Sequence, residues 1–112
     1  MAWTAGAYLF SGRPDPRWPV SSLVADSLLT LWNRMPPRPG QERPAPALGY
    51  RGCFLRGDDG REWVAFRGTV WLTADDSTEA RIDAGRMFER FLARSAPTGL
   101  LPPELVDRAE EG

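Results

Sequence analysis

YRGCFLRGDDGREWVAFRGTVWLT, residues 50–73, is the stretch that decides the fold. Tyr50 to Arg56 and Glu62 to Thr73 are rich in aromatic and β-branched residues, and Gly57-Asp58-Asp59-Gly60 between them is turn-forming, so the stretch predicts a β-hairpin. Side chains alternate along an extended strand, which puts Val64, Phe66, Val70 and Leu72 on one face and Trp63, Arg67 and Trp71 on the other. Gly68 falls where a bulge or chain reversal would occur. The second arm is therefore one long strand or two short ones meeting at Arg67-Gly68.

Upstream of the hairpin, Pro36 to Pro46 holds five prolines and predicts an extended connection without regular pairing, a spacer within the domain. Before it, Val24, Leu28, Leu31 and Met35 recur at helical spacing behind a capping serine, Ser21 or Ser22, and predict a helix of about 13 residues. Ala7 to Ser11 reads as a first strand entering a stiff loop at Arg13-Pro14-Asp15-Pro16. Downstream, Asp76-Ser77-Thr78-Glu79 has the spacing of a capping box. Ala80, Ala84, Met87, Phe88, Phe91 and Leu92 follow as an apolar stripe, predicting a second helix that runs to about Ser95. Pro97 and Gly99 end it, and Glu104 to Ala109 would add one or two turns.

These elements predict a single small α+β domain over residues 1–99, in the order strand, helix, hairpin of two or three strands, helix. A mostly antiparallel sheet is backed by the two helices, 36–47 is a proline-rich internal loop, and 100–112 is a C-terminal tail. The expected core comprises Leu9, Val24, Leu28, Leu31, Phe54, Val64, Phe66, Val70, Met87, Phe88 and Phe91.

Composition narrows the function classes. Among 112 residues there is no histidine, so the commonest general base and the commonest transition-metal ligand are both missing. All basic residues are arginine, a usage that fits GC-rich coding and supplies a planar fork for carboxylates. The net charge of −1 gives no long-range attraction for nucleic acid. The start lacks a basic leader and a long apolar run, so neither a secretory signal nor a membrane span is expected. One cysteine, Cys53, closes no intrachain disulfide, which suits a reduced bacterial cytoplasm.

No residue pattern predicts catalysis, a cofactor or a metal. Cys53 reads as a small packed residue, with no imidazole to activate it. Asp58-Asp59 and Asp75-Asp76 lack the spaced ligands of a calcium loop and are explained by turn chemistry and helix capping. The glycines around the hairpin form neither a phosphate loop nor a dinucleotide fingerprint.

Two contact regions stand out instead. Prolines stiffen Ser11 to Trp18 and hold Arg13, Asp15 and Trp18 at set separations, and a rigid loop loses little entropy on binding. Trp63, Arg67 and Trp71 give an aromatic strand face around a guanidinium, able to receive a peptide unless a helix covers it. Arg51 joins these residues in the predicted partner-binding set.

The stretch Phe10-Ser11-Gly12-Arg13-Pro14-Asp15-Pro16-Arg17-Trp18, with Leu48-Gly49-Tyr50-Arg51-Gly52 and a closing helix, resembles small partner subunits of multinuclear non-haem iron oxidases. These accompany the oxidases in gene clusters for ribosomally made, modified peptides. The resemblance touches about a fifth of the chain and carries over no catalytic residue. It implies a helper that binds a peptide or supports a larger, iron-dependent enzyme subunit. One departure is the expected helix after the first strand, where the usual peptide-recognition domain of such systems opens with consecutive strands.

The expected function is thus a non-catalytic accessory protein that docks a peptide or a larger enzyme subunit, with no nucleic acid and no membrane. Two alternatives stay open. One is a small ligand-binding protein or enzyme with a pocket between helix and sheet, using Tyr8, Asp15, Tyr50 and Arg51. The other is a self-associating structural subunit that buries exposed tryptophans against another copy.

Overall fold

The computed structural model describes residues 1–9, 12–47 and 49–101. The central hairpin is present, as β3 (Cys53–Gly57) and β4 (Glu62–Phe66), with Gly60 at φ +92° in the turn between them. The chain then reverses at once into β5 (Thr69–Ala74), so the second arm is two short strands. Phe66 faces Thr69 across a two-residue turn in which Arg67 and Gly68 have φ of 49° and 85°. Positive φ at both central positions gives the twist that matches a tight hairpin, and Gly68 adopts it without strain.

Pairing continues in both directions. Upstream lie β1 (Trp3–Ala7), β2 (Arg17–Val20) and α1 (Ser22–Arg34). Downstream lie β6 (Ser77–Ile82), a 3₁₀ turn (Ala84–Arg86) and α2 (Met87–Arg94). The six strands form one antiparallel sheet in the order β2-β1-β3-β4-β5-β6. Two helices pack against it, giving a single α+β domain.

Register explains the layering. Ala5 pairs with both Trp18 and Leu55, Leu55 pairs with Trp63, and Trp63 pairs with Leu72, so this row shares one face. Leu28 and Trp32 of α1 and Phe88 and Leu92 of α2 pack on that face. Gly6, Phe54, Val64, Trp71 and Ala80 form the neighbouring row, on the opposite face. Gly6 is required here: a Cβ would lie 2.2 Å from Phe54 Cζ and 2.6 Å from the Pro16 carbonyl.

The proline-rich segment covers this second face as a strap. Ile82 donates to the Pro36 carbonyl at 2.8 Å and Arg38 to the Ala80 carbonyl at 2.9 Å, lining the outer edge of β6. Trp71 Nε1 then donates to the Gln41 carbonyl at 3.0 Å, and Arg43 reaches Glu62. The spacer is thus a cover. Pro37 forms one antiparallel bridge with Arg81, and the prolines beyond it suit a chain that then crosses the strands without extending their ladder.

Several expectations are corrected. The first strand is centred four residues earlier than predicted, and β2 forms from Arg17, where a loop was expected, so α1 does not follow the first strand. β6 occupies Ser77 to Ile82, where the second helix was expected to start. Asp75 and Asp76 are a hairpin turn, with Asp75 at φ 52° and Ser77 Oγ bonding the Ala74 carbonyl, and six residue pairs with β5 outweigh the local capping signal. Arg86 holds the N-cap position of α2 without a side-chain cap, and the first-turn amides of Phe88 and Glu89 are instead accepted by the carboxylate of Asp83, ahead of the 3₁₀ turn, at 3.0 and 3.2 Å.

The inward face of α2 carries Phe88, Glu89, Leu92 and Ala93. Met87 and Phe91, expected in the core, are exposed at 57% and 37%. In contrast, α1 matches its expectation in length and cap: Ser21 Oγ accepts the Val24 amide at 3.2 Å. Leu101 is buried, so packing extends past residue 99. The turns expected within 104–109, and Phe10 and Ser11, lie outside the described residues.

Candidate functional site

The predicted contact residues do not converge. Trp18 is 2% exposed: β2 turns its ring into the core, where Nε1 donates to Ser95 Oγ at 2.9 Å and ties the sheet edge to the end of α2. Asp15 accepts the Leu9 amide at 2.8 Å, and Arg13 is exposed on the β1–β2 loop. Trp63 and Trp71, predicted to share a face with Arg67, lie on opposite faces, because the reversal at Arg67-Gly68 pairs Trp63 with Leu72. Both rings are at most 3% exposed, one under the helices and one under the strap. Arg67 is exposed at the turn, its guanidinium 4.9 Å from the Phe66 ring centroid.

Strand addition is hindered at both sheet edges. Pro19 in β2 has no amide proton to offer, and the β6 edge is engaged by Pro36 and Arg38 of the strap.

Three arrangements missed by the sequence reading remain. The first is a buried polar cluster beneath α2. Tyr50 OH donates to Glu89 Oε2 and lies 3.3 Å from Cys53 Sγ, while Glu89 Oε1 accepts the Arg67 amide at 3.1 Å. Burial pushes the Glu89 carboxyl up to about 7, against the lowering effect of its hydrogen bonds and of Arg86. Burial likewise drives the Cys53 thiol up to about 12, and raises Tyr50 and Asp83. A thiol this hard to ionise is no nucleophile near neutrality, as its packed position implies. The cluster holds a proton and fastens α2 to the β4–β5 turn.

The second lies between the helices, a groove of about 430 Å³ lined by Ser27 and Leu31 of α1 and Met87, Arg90, Phe91 and Arg94 of α2. Leu23, 77% exposed, extends the α1 stripe by one turn, since residues four apart stack on a helix face. Arg90 Nε is buried without a hydrogen-bond partner among the described residues. Among the described residues, no carboxylate lines the groove.

The third lies under the strap. Glu62 accepts from Tyr8 OH and Arg56 Nε, both at 2.6 Å, and from Arg43 Nη2 at 3.0 Å. Burial opposes its ionisation, but these donors hold its carboxyl below the usual range. Beside this network, Tyr8, Arg43, Arg51, Pro44, Pro46 and Val64 enclose about 300 Å³. Of the four residues expected in a pocket between helix and sheet, Tyr8 and Arg51 meet here on the strap face, Tyr50 lies in the core cluster, and Asp15 holds the β1–β2 loop.

A helical-periodicity reading hides the inner face of α2, because Glu89 counts as an outward residue and rotates the stripe toward Met87 and Phe91. The strap pocket had a partial signal in the proline spacing and the neighbouring Arg43 and Arg51. Among the described residues, no three His, Cys, Asp or Glu side chains come together to hold a metal ion, and no helix is long and apolar enough to cross a membrane. No protein-family model, curated protein or solved structure matches this chain.

Proposed function

We propose that this chain is a non-catalytic partner protein that holds an acidic, apolar peptide segment in the groove between α1 and α2. The segment belongs to a peptide substrate or to a larger enzyme subunit, as the resemblance to oxidase partner subunits implies, and the setting is the cytoplasm. The observation that carries the reading is the pairing of exposed Met87 and Phe91 with Arg90 along one groove that no carboxylate of the described residues lines. Apolar side chains left in water beside one another mark contact surfaces, and an amphipathic segment places its anchors at helical spacing in such grooves. Arg90 Nε, desolvated and without a hydrogen-bond partner among the described residues, adds a donor that a carboxylate would satisfy. The histidine-free composition and the buried, proton-holding Cys53 and Glu89 support a docking role over turnover.

The test is calorimetric titration of the full chain with a 14-residue amphipathic peptide of Leu, Phe and Glu, and with its Glu-to-Gln counterpart. Binding of the acidic peptide, weakened at least about tenfold by Phe91→Glu or Arg90→Glu and by the Gln peptide, is expected. Equal binding by these variants overturns the site. So does concentration-dependent self-association that Met87→Glu abolishes, because the groove is then an interface between copies.

A further inference from the structure

We infer that the pocket beneath the proline-rich strap is a binding site for a small organic carboxylate with an apolar body. Its floor is Val64 and its cover is Pro44 and Pro46, so the enclosed part of a ligand meets apolar surface. Its polar rim is Tyr8, Arg43 and Arg51. Glu62 already occupies Tyr8, Arg56 and Arg43. Arg51 is different. Its guanidinium donates to the neighbouring Tyr50 carbonyl at 3.2 Å and meets no carboxylate among the described residues.

Two guanidinium groups, on Arg43 and Arg56, share the Glu62 carboxylate, and Arg51 adds a further positive charge to the pocket lining. A guanidinium fork takes a carboxylate through two parallel hydrogen bonds. The enclosed volume lies at the small end of ligand sites, which suits a single ring or a short chain. A phosphate fits less well. Its second charge would approach Glu62, and no helix start lines the pocket to receive it.

The site lies across the sheet from the α1–α2 groove, so it stands or falls separately from the docking role. The experiment is an NMR titration of the full chain with benzoate, benzamide and inorganic phosphate, repeated on Arg51→Gln and Arg51→Lys. The Arg51 side chain makes one hydrogen bond among the described residues, to a main-chain carbonyl, so both variants should keep the wild-type melting midpoint. Benzoate should shift Tyr8 and Val64 resonances, with benzamide and phosphate at least about tenfold weaker. Arg51→Gln should lose at least about tenfold of benzoate affinity, and Arg51→Lys, which keeps the charge without the fork, should lose less. Benzamide or phosphate binding as well as benzoate, an unchanged Arg51→Gln, or shifts centred on Met87 and Phe91 would overturn the assignment. Binding of the acidic peptide to Arg51→Gln should be unchanged, which separates this result from the groove.

Discussion

Glu89 in α2 accepts the main-chain amide of Arg67 at 3.1 Å, so one buried carboxylate joins the second helix to the tightest turn of the sheet. Arg67 sits there in the left-handed region at φ 49°, a conformation unfavourable for a residue with a Cβ, and the Glu89 bond helps to hold it.

The first prediction concerns pH. The Glu89 carboxyl rises from an ordinary 4.5 to about 7 on folding, so the folded chain binds this proton more tightly than the unfolded chain. Its contribution is complete below pH 4.5 and is lost as pH rises through about 7, a change of about 3 kcal/mol. Urea unfolding between pH 5 and 8 should show the decline, and Glu89→Gln, which keeps an acceptor for Arg67, should flatten most of it. An equal slope in the variant would place the titration elsewhere.

The second concerns the turn. Asn tolerates positive φ better than Arg and precedes Gly in the preferred two-residue hairpin turn. Arg67→Asn should gain about 1 kcal/mol from relieved strain and give back about half of that from the exposed contact with Phe66. Arg67→Val, β-branched, should instead lose about 1 kcal/mol. Denaturant midpoints at constant m-value decide this, and a clear loss in the Asn variant would contradict it.

A third prediction separates packing from partner contact at Trp18. Trp18→Phe removes the bond to Ser95 Oγ and leaves a small void, costing about 2 kcal/mol of stability. Amide exchange should rise at the end of α2. Peptide affinity at the α1–α2 groove should stay unchanged, whereas a direct role for Trp18 in docking would lower it.

Much of this architecture is legible in local chemistry. Ser21 and the spacing of Val24, Leu28 and Leu31 specify α1, and glycine-bearing turns join β3 to β4 and β4 to β5. The candidate sites are less so. The predicted face of Trp63, Arg67 and Trp71 depends on how many residues the chain spends in reversing, and a two-residue turn moves Trp71 to the other side of the sheet. The strap pocket joins Tyr8 to Arg43 and Arg51 across three separate segments, and no local pattern links them.

The sequence alone determined an α+β chain without histidine, its capped first helix and its central hairpin, because propensity, capping and turn chemistry act over a few neighbouring residues. Tertiary structure decided what only distant pairing can settle. Six residue pairs with β5 made Ser77 to Ile82 a strand, the bonds to Arg67 and Tyr50 turned Glu89 inward, and that rotation left Met87 and Phe91 in water.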